Sequence, residues 1–193
     1  MSTLIYYLSK YPECQAKARA EVLAALGPNV DPTTANLQNL PYTNACIREA
    51  LRINTPISYI VPRASPLATT LGKYAIPPNT SLILNLYAVH HNNVVYPDPH
   101  VFRPERFLDG DGEGLIGKES WIPFANGPRQ CPARNFALYE QRALAVMLLR
   151  EYTWVLPEGS VHRDGLRNAF SPFALTVPEN RMSLLLSKKM GAD

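Results

Sequence analysis

The sequence predicts a mainly α protein carrying small antiparallel β-sheets, an α+β class, and three observations predict it. Two segments, Pro12–Leu26 and about Tyr42–Ile53, have helical apolar spacing with breakers at their ends, and a third apolar run extends from Phe136 to Leu149. Between the second and third of these, from Tyr59 to Tyr87, short β-type runs alternate with proline and glycine. The 18 prolines outnumber the 10 glycines and lie mostly between apolar segments, which implies extended, rigid connections rather than flexible ones. At 193 residues the chain has the length of one domain with a real core.

Residues Met1 to Leu8 are apolar and aromatic and open without a helix cap, so they read as the tail of an element whose beginning is absent. Pro12 suits the first turn of the next helix and Gly27-Pro28 closes it; Ala16, Arg19, Ala20, Leu23 and Leu26 are its expected core face. Asn29 to Asn39 reads as a polar connection. The helix that follows ends ahead of Pro56, with Ile47, Ala50 and Leu51 as its apolar stripe and Glu49 and Arg52 three apart on the other side. Ile60-Val61, Tyr74-Ala75-Ile76 and Ser81-Leu82-Ile83-Leu84 are strand candidates. Asp109 to Gly117 is polar and glycine-rich, a predicted mobile loop. The run Ala143 to Leu149 is apolar almost all round, predicting deep burial. Tyr152 to Leu156 and Arg181 to Leu186 read as strands, with Val177-Pro178-Glu179-Asn180 as the last turn.

Composition narrows the function. A net charge of +3 with no basic block gives no footing for nucleic-acid binding. Cys14, Cys46 and Cys131 are an odd, widely spaced set without a C-x-x-C pair, which argues against a disulfide framework or a structural zinc site. Cys14 and Cys46 fall on helices and read as core. His90-His91 point to different sides in any regular structure and have no carboxylate or cysteine suitably near, so they read as structural or exposed. No apolar run reaches the length of a membrane span and no signal-peptide pattern opens the chain.

One stretch remains, Phe124-Ala125-Asn126-Gly127-Pro128-Arg129-Gln130-Cys131-Pro132-Ala133-Arg134. It sets a cysteine in a loop of breakers just before a helix, with Pro132 suited to the first helical position. A thiolate there would face the positive end of the helix, the environment that lowers a cysteine pKa and keeps sulfur available to a metal. Arg129 adds a positive charge that can fork onto a carboxylate. Alone, a cysteine near a helix start is most simply a small buried hydrophobe; Phe124, Gly127 and Arg129 in register with it change that reading. The order Phe-x-x-Gly-x-Arg-x-Cys resembles the haem-binding loop of the cytochrome P-450 family, the haem-thiolate monooxygenases. Two further stretches are similar to that family: Glu49-x-x-Arg52 in a helix, and Pro104-Glu105-Arg106-Phe107 downstream. One position departs from it, Ala133, where the family usually carries glycine two residues after the cysteine.

The resemblance runs from about Tyr11 to Leu186 and implies the C-terminal, proximal-haem half of the fold, residues 1–193 forming a single partial domain. It implies haem b as cofactor, with Cys131 as the axial iron ligand, Arg129 and Arg63 as propionate partners, Phe124 and Gly127 at the macrocycle, and Ala133 pressing on it. Glu49, Arg52 and Arg106 would form a buried charge network that holds the haem-loop scaffold. Ile57, Val61, Phe170 and Phe173 are substrate-contact candidates by position only, with a core role equally open. The helix over the other haem face, with its acid and threonine for oxygen activation, is expected to be absent, as is an N-terminal membrane anchor, so no catalytic residue is assigned. The implied partners are an NADPH-dependent reductase and a small apolar organic substrate, with no nucleic acid and no span in this chain; a full-length anchored parent would sit at the endoplasmic reticulum membrane. Two other readings stay open at this stage: a non-catalytic haem-binding module, and a truncated product that binds no haem.

Overall fold

The computed structural model describes residues 1–27, 29–108, 119–170, 176–178 and 182–188. The predicted loop Asp109–Gly117, Phe173, Arg181 and the turn residues Glu179 and Asn180 lie outside the described residues, and at Phe170 only the backbone is described.

Four helices carry the core. α1 (Ser2–Lys10) and α2 (Pro12–Leu26) are separated by Tyr11 alone, where Pro12 occupies the first helical position of α2. α2 ends at Gly27, whose φ of +65° is left-handed and suits glycine. Its buried face is Cys14, Gln15, Ala18, Val22 and Leu26, whereas Ala16 and Ala20 are exposed. The expected face is therefore wrong in phase: the true stripe runs every fourth residue from Cys14, and the many alanines of α2 blur it. Gln15 is the polar member of this face; its amide donates to the Leu8 and Trp154 carbonyls and its Oε1 accepts the Trp154 N–H, so one side chain ties α1, α2 and the strand at Trp154 together.

The stretch expected as a plain polar connection holds a short helix, α3 (Thr34–Gln38), started by a reciprocal Thr33–Asn36 capping box and anchored by buried Leu37. α4 (Pro41–Ile53) follows. It has no N-cap side chain of its own. Glu21 of α2 does that work, accepting the Tyr42 and Thr43 N–H groups at 2.7 and 2.8 Å and the Thr43 hydroxyl at 2.7 Å. α4 is buried on both sides, Glu49 and Arg52 included.

Beyond α4 the chain is thinner. Of the three strand candidates between Tyr59 and Tyr87 only Tyr74–Ile76 forms one, as β2, paired with β1 (Thr69–Leu71) across Gly72-Lys73 in an exposed hairpin. Residues near Ile60-Val61 and Ser81–Leu84 make only the isolated antiparallel bridges Tyr59↔Asn85 and Arg63↔Leu82. Pro62, Pro77 and Pro78 deny a longer ladder its donors. α5 (Leu86–His90), capped by the Asn85 side chain on the Ala88 N–H, was not expected from sequence. A 3₁₀ turn at Pro104–Phe107 then packs on α4.

The last helix, α6 (Arg134–Glu151), begins two residues later than Pro132 suggested and packs on α2, α3 and α4. Leu138, Ala145, Val146 and Leu149 are buried, but Phe136, Leu144 and Met147 are 71, 40 and 55% exposed, so α6 has one core face rather than burial all round. Arg19 of α2 donates to the Leu149 carbonyl, a cation at the helix C-terminus where the dipole favours it. α6 runs directly into β3 (Tyr152–Val155), antiparallel to β6 (Leu185–Lys188); β4 (Asn168–Phe170) pairs likewise with β5 (Thr176–Pro178), so Val177-Pro178 are strand and not turn.

Candidate haem-thiolate site

The loop ahead of α6 is built from its own backbone. Ile122 accepts the Ala125 N–H at 3.0 Å, a 3₁₀ turn covers Gly127–Arg129, and the Cys131 N–H returns to the Phe124 carbonyl at 3.0 Å. That last bond closes the loop on itself and fixes the cysteine against the start of α6. Gly127 has φ +74°, which glycine adopts without strain, and the Asn126 side chain accepts its N–H at 2.8 Å. Ala125 is left-handed as well, at φ +60°, an unusual state for a residue with a Cβ. Ala133 has φ −87°, so the backbone there makes no demand for glycine.

Cys131 is half-buried and free, while Cys14 and Cys46 are fully buried. Burial pushes the thiols of Cys14 and Cys46 up, the conduct of inert core cysteines. Phe124 is half-buried, edge-on to Trp121 at 6.4 Å. Arg129 and Arg63 are both exposed, and neither has a carboxylate partner among the described residues. Ile57 is on the margin of exposure and Val61 is 76% exposed, so neither belongs to the core cluster.

Glu49, Arg52 and Arg106 come together, every side chain fully buried. Arg52 grips Glu49 through two bonds, Nε to Oε2 at 2.7 Å and Nη2 to Oε1 at 2.8 Å, and Arg106 Nε reaches Oε1 at 3.1 Å. The Arg103 backbone N–H joins the same oxygen at 3.1 Å. Backbone dipoles satisfy further guanidinium donors: Arg52 Nη1 donates to the His90 and Pro99 carbonyls, both at 2.8 Å, and Arg106 Nη2 to that of Pro97 at 3.2 Å. The Tyr96 ring faces Arg52 at 5.0 Å. The network thereby binds α4 to the irregular segment from α5 to Phe107.

A feature that sequence reasoning missed lies on the α4 side of the loop. A cleft of about 550 Å³ opens between α4, α6 and the segment Trp121–Asn126. Arg48, Arg134 and Arg142 line it, and among the described residues no carboxylate does. Arg48 stacks over Phe107 and Trp121 at 4.3 and 5.1 Å. Arg142 donates to Asn44 at 2.7 Å, and burial, with Arg134 adding to it, holds its pKa below the usual range. The signal was present in the sequence as Arg134-Leu138-Arg142, which share one helix face at successive intervals of four.

With this geometry in view, comparison with known proteins gives a consistent result. The family model described as Cytochrome P450 matches residues 1–185. Cytochrome P450 2U1 of Bos taurus is 31% identical over 96% of the chain, and Cytochrome P450 4A12B of Mus musculus is 36% identical over 78% of it. The chain covers 33 and 29% of those two proteins, about a third of the length of the curated relatives it matches. A solved structure of a zebra fish cytochrome P450 with Abiraterone superposes with a TM-score of 0.83 over 97% of this chain and 43% of that one, at 24% identity. The chain belongs to the cytochrome P450 family.

Membership implies a haem, and the donor set can be tested against one. Among the described residues no three His, Cys, Asp or Glu side chains converge to hold a bare ion. Cys131 is a single free thiol, which suits a metal that brings its remaining donors in a macrocycle. The residues present fit the group. Among the described residues, no helix is long and apolar enough to cross a membrane.

Proposed function

We propose that this chain is the thiolate-bearing, proximal part of a haem-dependent monooxygenase that inserts one oxygen atom into an apolar organic substrate. The observation that carries the reading is Cys131: a free sulfur on a self-closed loop at the start of an 18-residue helix. Haem b, when bound, would supply the oxygen chemistry, favoured by electron density from a thiolate ligand. The chain's own residues would bind and orient it. Cys131 would hold the iron, Gly127 would let the backbone turn close to the macrocycle, Phe124 would pack against it, and the guanidiniums of Arg129 and Arg63, without a carboxylate partner among the described residues, would meet its carboxylates. Ala133, two residues after the cysteine, would bring a methyl group toward the macrocycle where the family usually carries glycine. Glu49, Arg52 and Arg106 hold the scaffold and take no part in chemistry.

Electrons would come from an NADPH-dependent reductase. The arginine cleft supports that partner, because the guanidiniums of Arg48, Arg134 and Arg142 that line it favour an acidic surface and speed its approach. Ile57, Val61, Phe170 and Phe173 remain substrate-contact candidates by position. A full-length anchored parent would place the activity at the endoplasmic reticulum membrane.

The test is the optical spectrum of haem-loaded protein, reduced under carbon monoxide. A thiolate-ligated band is expected, lost in Cys131→Ala and intact in Cys14→Ala and Cys46→Ala. A thiolate band surviving in the Cys131 variant ends the assignment, and no haem band at all supports a chain that binds no haem.

A further inference from the structure

His90 closes α5 and is wholly buried, yet it is poorly suited to packing alone. Its Nδ1 has no hydrogen-bond partner among the described residues, and an orphaned buried donor is destabilising. What it does make are two bonds in different directions. Its carbonyl accepts Arg52 Nη1 at 2.8 Å, and its Nε2 accepts the Ile122 N–H at 3.0 Å. An acceptor at Nε2 puts the ring proton on Nδ1, the orphan atom. Ile122 is the first residue of the thiolate loop: its carbonyl accepts the Ala125 N–H, and two residues on, the Phe124 carbonyl accepts the Cys131 N–H, each at 3.0 Å.

We propose that His90 is a positioning residue for the thiolate loop. It registers the start of that loop on the buried Glu49–Arg52 pair, and through Phe124 it sets the backbone of Cys131. Arg52 and His91 are the charged or titratable groups that act on it, and burial keeps the imidazole neutral, the form that can accept from Ile122. The geometric claim stands on these bonds; its bearing on iron rests on the reading of Cys131 as the ligand.

The experiment measures amide exchange at Ile122 and peptide-resolved alkylation of Cys131 in the 193-residue chain, as wild type, His90→Leu and His90→Gln. In wild type, Ile122 is expected to exchange as slowly as the amides of α4. In His90→Leu both rates should rise about tenfold, as for loss of one buried hydrogen bond, while α2 amides stay unchanged. His90→Gln offers an oxygen near the place of Nε2 and should restore most of both. In haem-loaded protein the thiolate-ligated share of the carbon monoxide complex should fall with Leu and recover with Gln. A wild-type Ile122 amide that exchanges like an open loop overturns the proposal even if the Leu variant does not fold. So does an Ile122 rate that rises only in step with α2, or a Gln variant that restores nothing. Wild-type protein that takes up no haem removes the ligand reading, and the amide and thiol rates then decide the role of His90 by themselves.

Discussion

At the scale of single residues the chain uses burial to separate groups of the same type. Cys14 and Cys46 are buried with raised pKa values, and Cys131 is left accessible. His90 is pushed down to about 3 by burial first and by Arg52 and His91 after it. Its folded pKa lies below the ordinary value near 6.5, so below that value the unfolded chain binds the extra proton. The stability it contributes is complete above about pH 6.5 and is lost as pH falls toward 3, by at most about 1.4 kcal/mol per unit. Urea midpoints measured from pH 7 to 4 should decline, and His90→Gln should flatten the decline; an unchanged slope would mean that other groups cause it. Sequence reading placed Cys14 and Cys46 in the core, because both fall on helices, and they are buried there. It left His90 between structural and exposed, since a buried acceptor for a loop amide 32 residues away leaves no local pattern.

At the scale of elements, α4 is the organiser, and its charged side was legible only in part. Spacing puts Glu49 and Arg52 together on α4, but burial comes from Pro97 to Phe107 folding over them, which no helical period encodes. Breaking one member of such a buried set costs about 3–5 kcal/mol, against less than about 1 for an exposed pair. Arg52→Ala, Glu49→Ala and Arg106→Ala should each prevent stable folding or haem uptake, as read by thermal melting and by the haem band. A soluble, haem-loaded Arg52→Ala protein with unchanged melting would show the pair to be dispensable. α2 and α6 show the limits of pattern in another way. Alanine-rich α2 hides its phase, and the apolar content of α6 records a preference for burial that these 193 residues satisfy on one side only.

At the scale of the molecule, the Cys131 loop lies beside the arginine-lined cleft, and the two ends of the proposed electron path belong to one block formed by α4 and α6. Arg134→Glu with Arg142→Glu should raise the KM for an acidic reductase about tenfold or more and flatten its salt dependence, with the carbon monoxide spectrum unchanged. Equal KM values would move the docking surface elsewhere. A second expectation concerns turnover. Controlled oxygen chemistry needs a water-restricted pocket and a proton path on the face opposite the sulfur ligand, and none of the residues assigned to the site supplies either. Given haem, reductase, NADPH and apolar substrates, the 193-residue chain alone should release hydrogen peroxide and little oxygenated product. Coupled product formation would show that the thiolate side suffices.

The Glu21 carboxylate, reaching from α2 to the first turn of α4, bears on the order in which the chain assembles. A helix that borrows its N-cap from a distant segment is poorly nucleated in isolation, because its first amides find no partner until the lender arrives. α2 and α4 should therefore form as a pair. A peptide of residues 41–53 would be largely unstructured in water, and Glu21→Gln would slow the folding of the whole chain as well as weaken it, since the element that carries Glu49 and Arg52 is late without its lender.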